Sequence, residues 1–191
     1  MIERIHLKPG NMLYPLPVVL VSCGAENIQN IITVAWAGTI CTNPPMVSIS
    51  VRPDRFSYEL IKKSGEFVVN LTPASMAREV DLCGVKSGRD VDKFKLCAFD
   101  KLESQIVKAP AIAQCPVNIE CVVENELMQG SHSMFIARVV SVSGWDSLHN
   151  KKTNAFELEQ IPLLVYSHGG YYVMGKKLGH FGFSVKKNRK K

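Results

Sequence analysis

In stretch after stretch of this chain, apolar residues recur at every second position, the period of a strand with one buried face. The clearest case is Met46-Val47-Ser48-Ile49-Ser50-Val51, which follows the turn signal Thr42-Asn43-Pro44-Pro45. Residues 117–124 set Val117, Ile119, Cys121 and Val123 against Asn118, Glu120 and Glu124, and this strand is expected to extend to about Gln129. Gly130-Ser131 then reads as a hairpin turn into the apolar run 134–142. Apolar, β-branched runs at 18–23, 31–40 and 66–71 predict further strands, and 163–166 and 171–174 are expected to pair near the end. Helices are fewer. Residues 56–63 carry Phe56, Leu60 and Ile61 at helical spacing, with Asp54 as candidate N-cap and Gly65 as stop, and 75–82 predict a second short helix. Many short strands and few helices predict a closed or partly closed antiparallel barrel.

The length of 191 residues, with 46% hydrophobic and 21% charged, fits one packed domain over 1–183 followed by a basic tail at 184–191. The formal charge of +6 is local. Lys176, Lys177, Lys186, Lys187, Arg189, Lys190 and Lys191 supply seven of the 23 basic residues, and the remaining body is close to neutral. A solvated terminal run of this kind argues against nucleic-acid binding. The first residues lack a signal layout, and no apolar run approaches the ~20 residues of a membrane span, so no membrane association and a cytoplasmic location are expected. The six cysteines form no C-x-x-C pair and no cluster with metal-ligand spacing, so no metal is expected and they read as reduced, apolar residues. Cys83, beside Gly84 in a polar stretch, is the candidate reactive thiol, set against the simpler reading of a packed side chain. The sequon Asn70-Leu71-Thr72 carries no meaning in a cytosolic chain.

No G-x-G-x-x-G follows a strand, and 170–177 misses a P-loop because Lys177 stands where a magnesium-binding Ser or Thr belongs. Three other segments carry more. In Asn30-Ile31-Ile32-Thr33-Val34-Ala35-Trp36, small residues beside a broad indole would let a flat ligand approach the backbone, although a Trp in a strand is also an ordinary core residue. Ser50-Val51-Arg52-Pro53-Asp54-Arg55-Phe56-Ser57-Tyr58 joins a strand end to a helix start with two arginines, which suits a phosphate; the alternative is a capped helix with exposed arginines. Cys83-Gly84 through Lys93-Phe94 is a polar loop of mixed charge.

Taken in this order, Asn-x-x-Thr-x-Ala-Trp, Ser-x-x-Pro-x-x-x-Ser and Ser-Gly-x-Asp-x-x-Lys-Phe resemble the flavin reductase-like, FMN-binding split-barrel family, nearest its flavoredoxin-like branch. The Pro15/Pro17 strand, Pro116 to Glu124, Gly130 to Val140 and Tyr171-Tyr172 fit the same pattern, so the resemblance spans about residues 12–183. It implies a mainly β fold, a Greek-key antiparallel split β-barrel with a few short flanking helices, and a homodimer. It also implies FMN as cofactor. Asn30, Thr33, Val34, Ala35 and Trp36 would line the ring, Ser50, Arg52, Arg55 and Ser57 the phosphate with Tyr58 close by, and Lys93 would reach the cofactor from its loop. Thr33 and Lys93 are the candidates for tuning the ring's polar edge. No catalytic residue beyond the flavin is expected. His132 is the candidate on the electron-donor side, because NAD(P)H-oxidising members carry Gly-Asp-His where this chain has Gly130-Ser131-His132. The expected role is a reductase moving electrons from NAD(P)H to free flavin, ferric iron or another acceptor. The alternatives are a flavoredoxin-type carrier fed by a redox protein such as ferredoxin, with the basic tail as a docking element, and a ligand-binding or sensor protein on the same barrel.

Overall fold

The computed structural model describes residues 2–185, and its strands follow the alternation of the sequence. Lys186, Lys187, Arg189, Lys190 and Lys191 of the basic tail lie outside the described residues. The chain begins with β1 (Leu16–Pro17), β2 (Val19–Ala25), β3 (Ile28–Val34), β4 (Ala37–Thr42) and β5 (Pro45–Val51). Then come α1 (Phe56–Ser64), β6 (Glu66–Leu71), a 3-10 turn at Ala74–Met76, α2 (Ala77–Val85) and the one-turn α3 (Lys93–Leu96). The short pair β7 (Lys101–Leu102) and β8 (Ala111–Ile112) leads into the long hairpin β9 (Val117–Gln129) and β10 (His132–Gly144). A second short pair, β11 (His149–Asn150) and β12 (Ala155–Phe156), precedes the closing hairpin β13 (Leu164–Ser167) and β14 (Gly170–Val173).

Seven strands form one antiparallel sheet in the order β3-β2-β6-β9-β10-β5-β4. Its two edges, β3 and β4, are consecutive in the chain and separated by two residues, Ala35 and Trp36. A seven-stranded sheet whose edges are joined by so short a link has to curl round until they meet. Bulges between Ile136 and Ala137, between Val139 and Ser141, and between Thr39 and Cys41 supply local bends. The edges meet at the Ala35-Trp36 link, where the Ser50 amide donates to the Trp36 carbonyl at 2.8 Å, and they diverge away from it. The barrel is therefore split. The apolar run 31–40, expected as one strand, is two, because the chain turns at the link and contributes to both edges.

The barrel interior is filled by Val19, Val21, Cys23, Ile49, Phe67, Cys121 and Phe135, with Tyr58 and Ile61 of α1 packed against them. Fully burying Phe67 and Phe135 contributes roughly 1.5–3 kcal/mol each. β2 is buried on both faces, which is why its sequence lacks alternation. Val18, Leu20 and Ile31 pack outward against Met76, Val80, Cys83 and Phe94 of the α2–α3 layer. Gly65 ends α1 at φ 72°, as the sequence predicts, whereas Arg55 and not Asp54 holds the N-cap position. Asp54 turns its carboxylate to Arg52 and Arg55, at 3.5 and 3.8 Å, because flanking cations attract it more than the helix amides do. The Asp92-Lys93-Phe94 stretch, read as the end of a loop, is a helical turn capped by Asp92, whose side chain accepts from the Lys95 amide at 3.2 Å.

Polar groups inside this layer are paired. Asn70, fully buried, donates to the Leu20 carbonyl at 2.9 Å and to Ser22 Oγ at 3.0 Å, and its Oδ1 accepts from Asn118 and from the Ile112 amide. The sequon is therefore core. Glu120, 3% exposed, accepts from the amides of Gln105, Ile106 and Val107 at 2.8, 2.7 and 3.1 Å. Burial alone would raise its pKa, but these donors outweigh it and hold the carboxyl below its ordinary value. The stabilisation is present above the ordinary carboxylate range and is lost as pH falls through the lowered folded-state value. Glu120→Gln should destabilise the protein by about 1–3 kcal/mol at pH 7. The difference from wild type in denaturant melts should shrink under strongly acidic conditions.

Candidate functional site

Two adjoining cavities open beside the Ala35-Trp36 link and share Ile32, Arg55 and Gly84. The smaller, about 50 Å³, is built on the start of α1. No side chain caps that helix, and Arg55, Phe56 and Ser57 at its start line the cavity, which puts the positive end of the helix dipole there. Ser57 Oγ, fully buried, accepts from Asn30 Nδ2 at 2.9 Å, which ties α1 to β3. The opposite wall is the loop 86–92. It approaches Asn30 so closely that a Cβ at Gly88 would lie 2.1 Å from Asn30 Oδ1, so no other residue fits there without displacing one wall. Arg89 crosses from this loop to α1, donating to the Asp54 carbonyl at 3.0 Å and to Glu59 Oε1 at 2.5 Å, with its guanidinium over the Phe56 ring.

Lys93 forms the floor. Its Nζ donates to the carbonyls of Ile31 and Cys83, both at 2.7 Å, binding α3 to β3 and α2. An ammonium has three N–H groups, so one remains for the cavity that Lys93 lines. Burial lowers its pKa below the ordinary lysine value, and it stands on α3 rather than on a loop.

The larger cavity, about 320 Å³, is flat-walled. Trp36 packs on His132 with ring centroids 4.3 Å apart, and Thr33, Val34, Ala35, Ser50, Arg52 and Arg55 complete the sides. Thr33 Oγ1 donates to the Val80 carbonyl at 2.5 Å, so its proton is engaged and its lone pairs are what it offers as polar groups. His132 Nδ1 lies 2.9 Å from Ser131 Oγ. Burial first, and then the Arg52 and Arg55 cations against the opposing pull of Asp54, hold the imidazole below the ordinary histidine value and so neutral at pH 7.

Eleven residues singled out from the sequence line these two cavities: Asn30, Thr33, Val34, Ala35, Trp36, Ser50, Arg52, Arg55, Ser57, Lys93 and His132. Tyr58 does not. Its ring packs on Phe135 in the barrel and its hydroxyl donates to Glu126 at 2.8 Å, because one step along α1 from Ser57 turns the side chain to the other face. Sequence reasoning missed Arg89 as a clamp, and it missed Tyr14 and Tyr166 as walls of the larger cavity. Tyr14 precedes β1 and Tyr166 lies on β13 opposite Leu16, and the distant pairing of β1 with β13 leaves no local signal. Cys83 is buried in α2, in keeping with the packed reading. Cys23, Cys115 and Cys121 behave the same way, their thiols pushed up to about 12 by burial.

A donor-rich cavity at a helix start, joined to a flat-walled one, fits a phosphate tethered to a planar ring. The comparisons with known proteins agree with that geometry. The flavoredoxin of Methanosarcina acetivorans superposes with a TM-score of 0.86 at 25% identity, covering 97% of this chain and 100% of that one. The flavoredoxin of Desulfovibrio vulgaris (Miyazaki F) reaches 0.88 at 24% identity, covering 96% and 100%, and shows the same fold. An uncharacterized protein of Archaeoglobus fulgidus is 31% identical over 140 residues, 73% of this chain and 78% of its own. The family model described as the flavin reductase like domain matches residues 11–175, and the chain belongs to that family.

Proposed function

We propose that the joined cavities hold FMN, with its phosphate at the start of α1 and its ring against Trp36, and that the protein is an oxidoreductase drawing electrons from NAD(P)H. The acceptor would be free flavin, ferric iron or another oxidant. The observation that carries this reading is the uncapped first turn of α1, which carries Ser57 and shares one cavity with Asn30 and Gly88. Arg89 favours FMN over FAD, because its bonds to Asp54 and Glu59 close the phosphate end where an adenylate would have to leave. When bound, FMN supplies the electron transfer. The protein holds and orients it: Arg52 and Arg55 balance the phosphate charge, Lys93 adds a fixed cation beneath, and the Thr33 oxygen accepts from a ring N–H.

A second reading is a flavoredoxin-type carrier fed by a redox protein such as ferredoxin. It is favoured by Ser131, which places a neutral hydroxyl and not a carboxylate on His132. Either role is consistent with a cytoplasmic homodimer, since apolar residues such as Leu13, Leu127, Met128, Leu178 and Phe181 are exposed on the single chain and a second copy would cover them.

Anaerobic NADH or NADPH should bleach the visible flavin spectrum within seconds. Bleaching by reduced ferredoxin alone would select the carrier reading, and a protein that binds no FMN would overturn both. Gly88→Ala should weaken FMN binding about tenfold, or ~1.4 kcal/mol, in fluorescence titration, with the apo fold retained. Arg89→Ala should reduce the preference for FMN over FAD several-fold in the same assay. NMR titration of His132 should give a midpoint below the ordinary ~6.5. Arg52→Ala should move that midpoint upward, because a cation that disfavours protonation is gone.

A further inference from the structure

Two thiols beside the smaller cavity have no part in the reading above. Cys83, in the last turn of α2, and Cys97, immediately after α3, stand with their sulfurs 3.7 Å apart. Among the described residues no other two cysteine sulfurs come within hydrogen-bonding distance of each other. Cys23, Cys115 and Cys121 are buried elsewhere, and Cys41 lies on β4. The two residues flank residues 84–96, which contain the Ser87-Gly88-Arg89 wall and Lys93.

We propose that Cys83 and Cys97 are a dithiol site that forms an intramolecular disulfide by exchange with a small-molecule disulfide, stapling the two ends of this segment. The pair differs in access in the way such exchange requires. Cys97 is half-buried and within reach of a small reagent, whereas Cys83 is 1% exposed, packed among apolar side chains, and has the Cys97 sulfur as its sulfur neighbour. The thiolate of Cys97 attacks one sulfur of R–S–S–R, forming a Cys97–S–S–R bond and releasing R–S⁻, which takes up a proton. The Cys83 thiolate then attacks the Cys97 sulfur, forming the Cys83–Cys97 bond and releasing a second R–S⁻. Two protein thiols are oxidised, one disulfide is reduced to two thiols, and no other oxidant is needed. The charges facing Cys97 are Glu79 and Arg78 on α2 and Lys93 on α3. Burial raises both thiols, and the Lys93 ammonium, held on the Cys83 carbonyl, works against that rise. The exchange is accordingly slow at neutral pH.

The staple joins α2 to the end of α3 across the segment that walls the phosphate end of the site. Its effect on a bound cofactor rests on the proposed function; its formation does not. The test therefore uses the flavin-free full chain incubated with oxidised glutathione. Alkylation under denaturing conditions should fall from all six thiols to four, and peptide mapping should recover a Cys83–Cys97 link that a dithiol reductant removes. Amide hydrogen exchange across 84–96 should slow several-fold in the oxidised protein, and the oxidant should leave it unchanged in Cys97→Ser. Arrest at a stable glutathione adduct on Cys97, a link between other cysteines, or a link that leaves exchange in 84–96 unaltered would each overturn the proposal. The wild-type measurements stand whether or not the variant folds.

Discussion

The two-residue link between β3 and β4 is the constraint on which the rest of this structure depends. It belongs to both edges of the sheet at once, so it forces closure at one end and leaves the strands free to diverge at the other. The larger cavity opens at the closed end, and the link itself provides that cavity's wall in Ala35 and Trp36. The bond from the Ser50 amide to the Trp36 carbonyl then fixes where the wall stands relative to β5, the strand that leads into Arg52, Arg55 and α1. One short connection therefore sets the Trp36 wall and the start of α1 in a single register.

Lys93 does for the outer layer what the link does for the barrel. Its ammonium rests on backbone carbonyls from β3 and α2, so three elements that meet at the smaller cavity share one cation. Removing it would leave two buried acceptors unpaired, which is costly for any protein interior. The charge is useful to an anion because it is immobile: its orientation is established when the protein folds. The same logic governs Thr33, whose tie to Val80 decides which of its two hydrogen-bonding capacities faces the cavity.

Much of this was legible in the sequence, and the exceptions have physical reasons. Residues 66–71 and 117–129 are strands as their patterns require, and Gly65 ends α1 where only a residue tolerant of positive φ is comfortable. The run 31–40 concealed a corner, because both edges it supplies are apolar and hydrophobicity carries no mark of direction. The residues that line the two cavities were legible as types: a hydroxyl, an amide and cations, close together in sequence. What each is bonded to was not. The partners of Lys93 and Thr33 are main-chain carbonyls, which every residue possesses. Tyr58 turns away from the cavities because one step along a helix from Ser57 rotates the side chain by about 100°.

The split has one more consequence. β4 ends the sheet with no strand beyond it among the described residues, and Gly38, Thr39 and Ile40 on it are exposed. An unpaired edge offers its main-chain donors and acceptors to any extended segment that drifts past, the usual opening move of aggregation. Its first residues, Ala37 and Gly38, border an apolar cavity that Trp36 also lines. A molecule in that cavity would shield the part of the edge nearest the link. Resistance to aggregation and the filling of that cavity are in this way coupled through one strand edge.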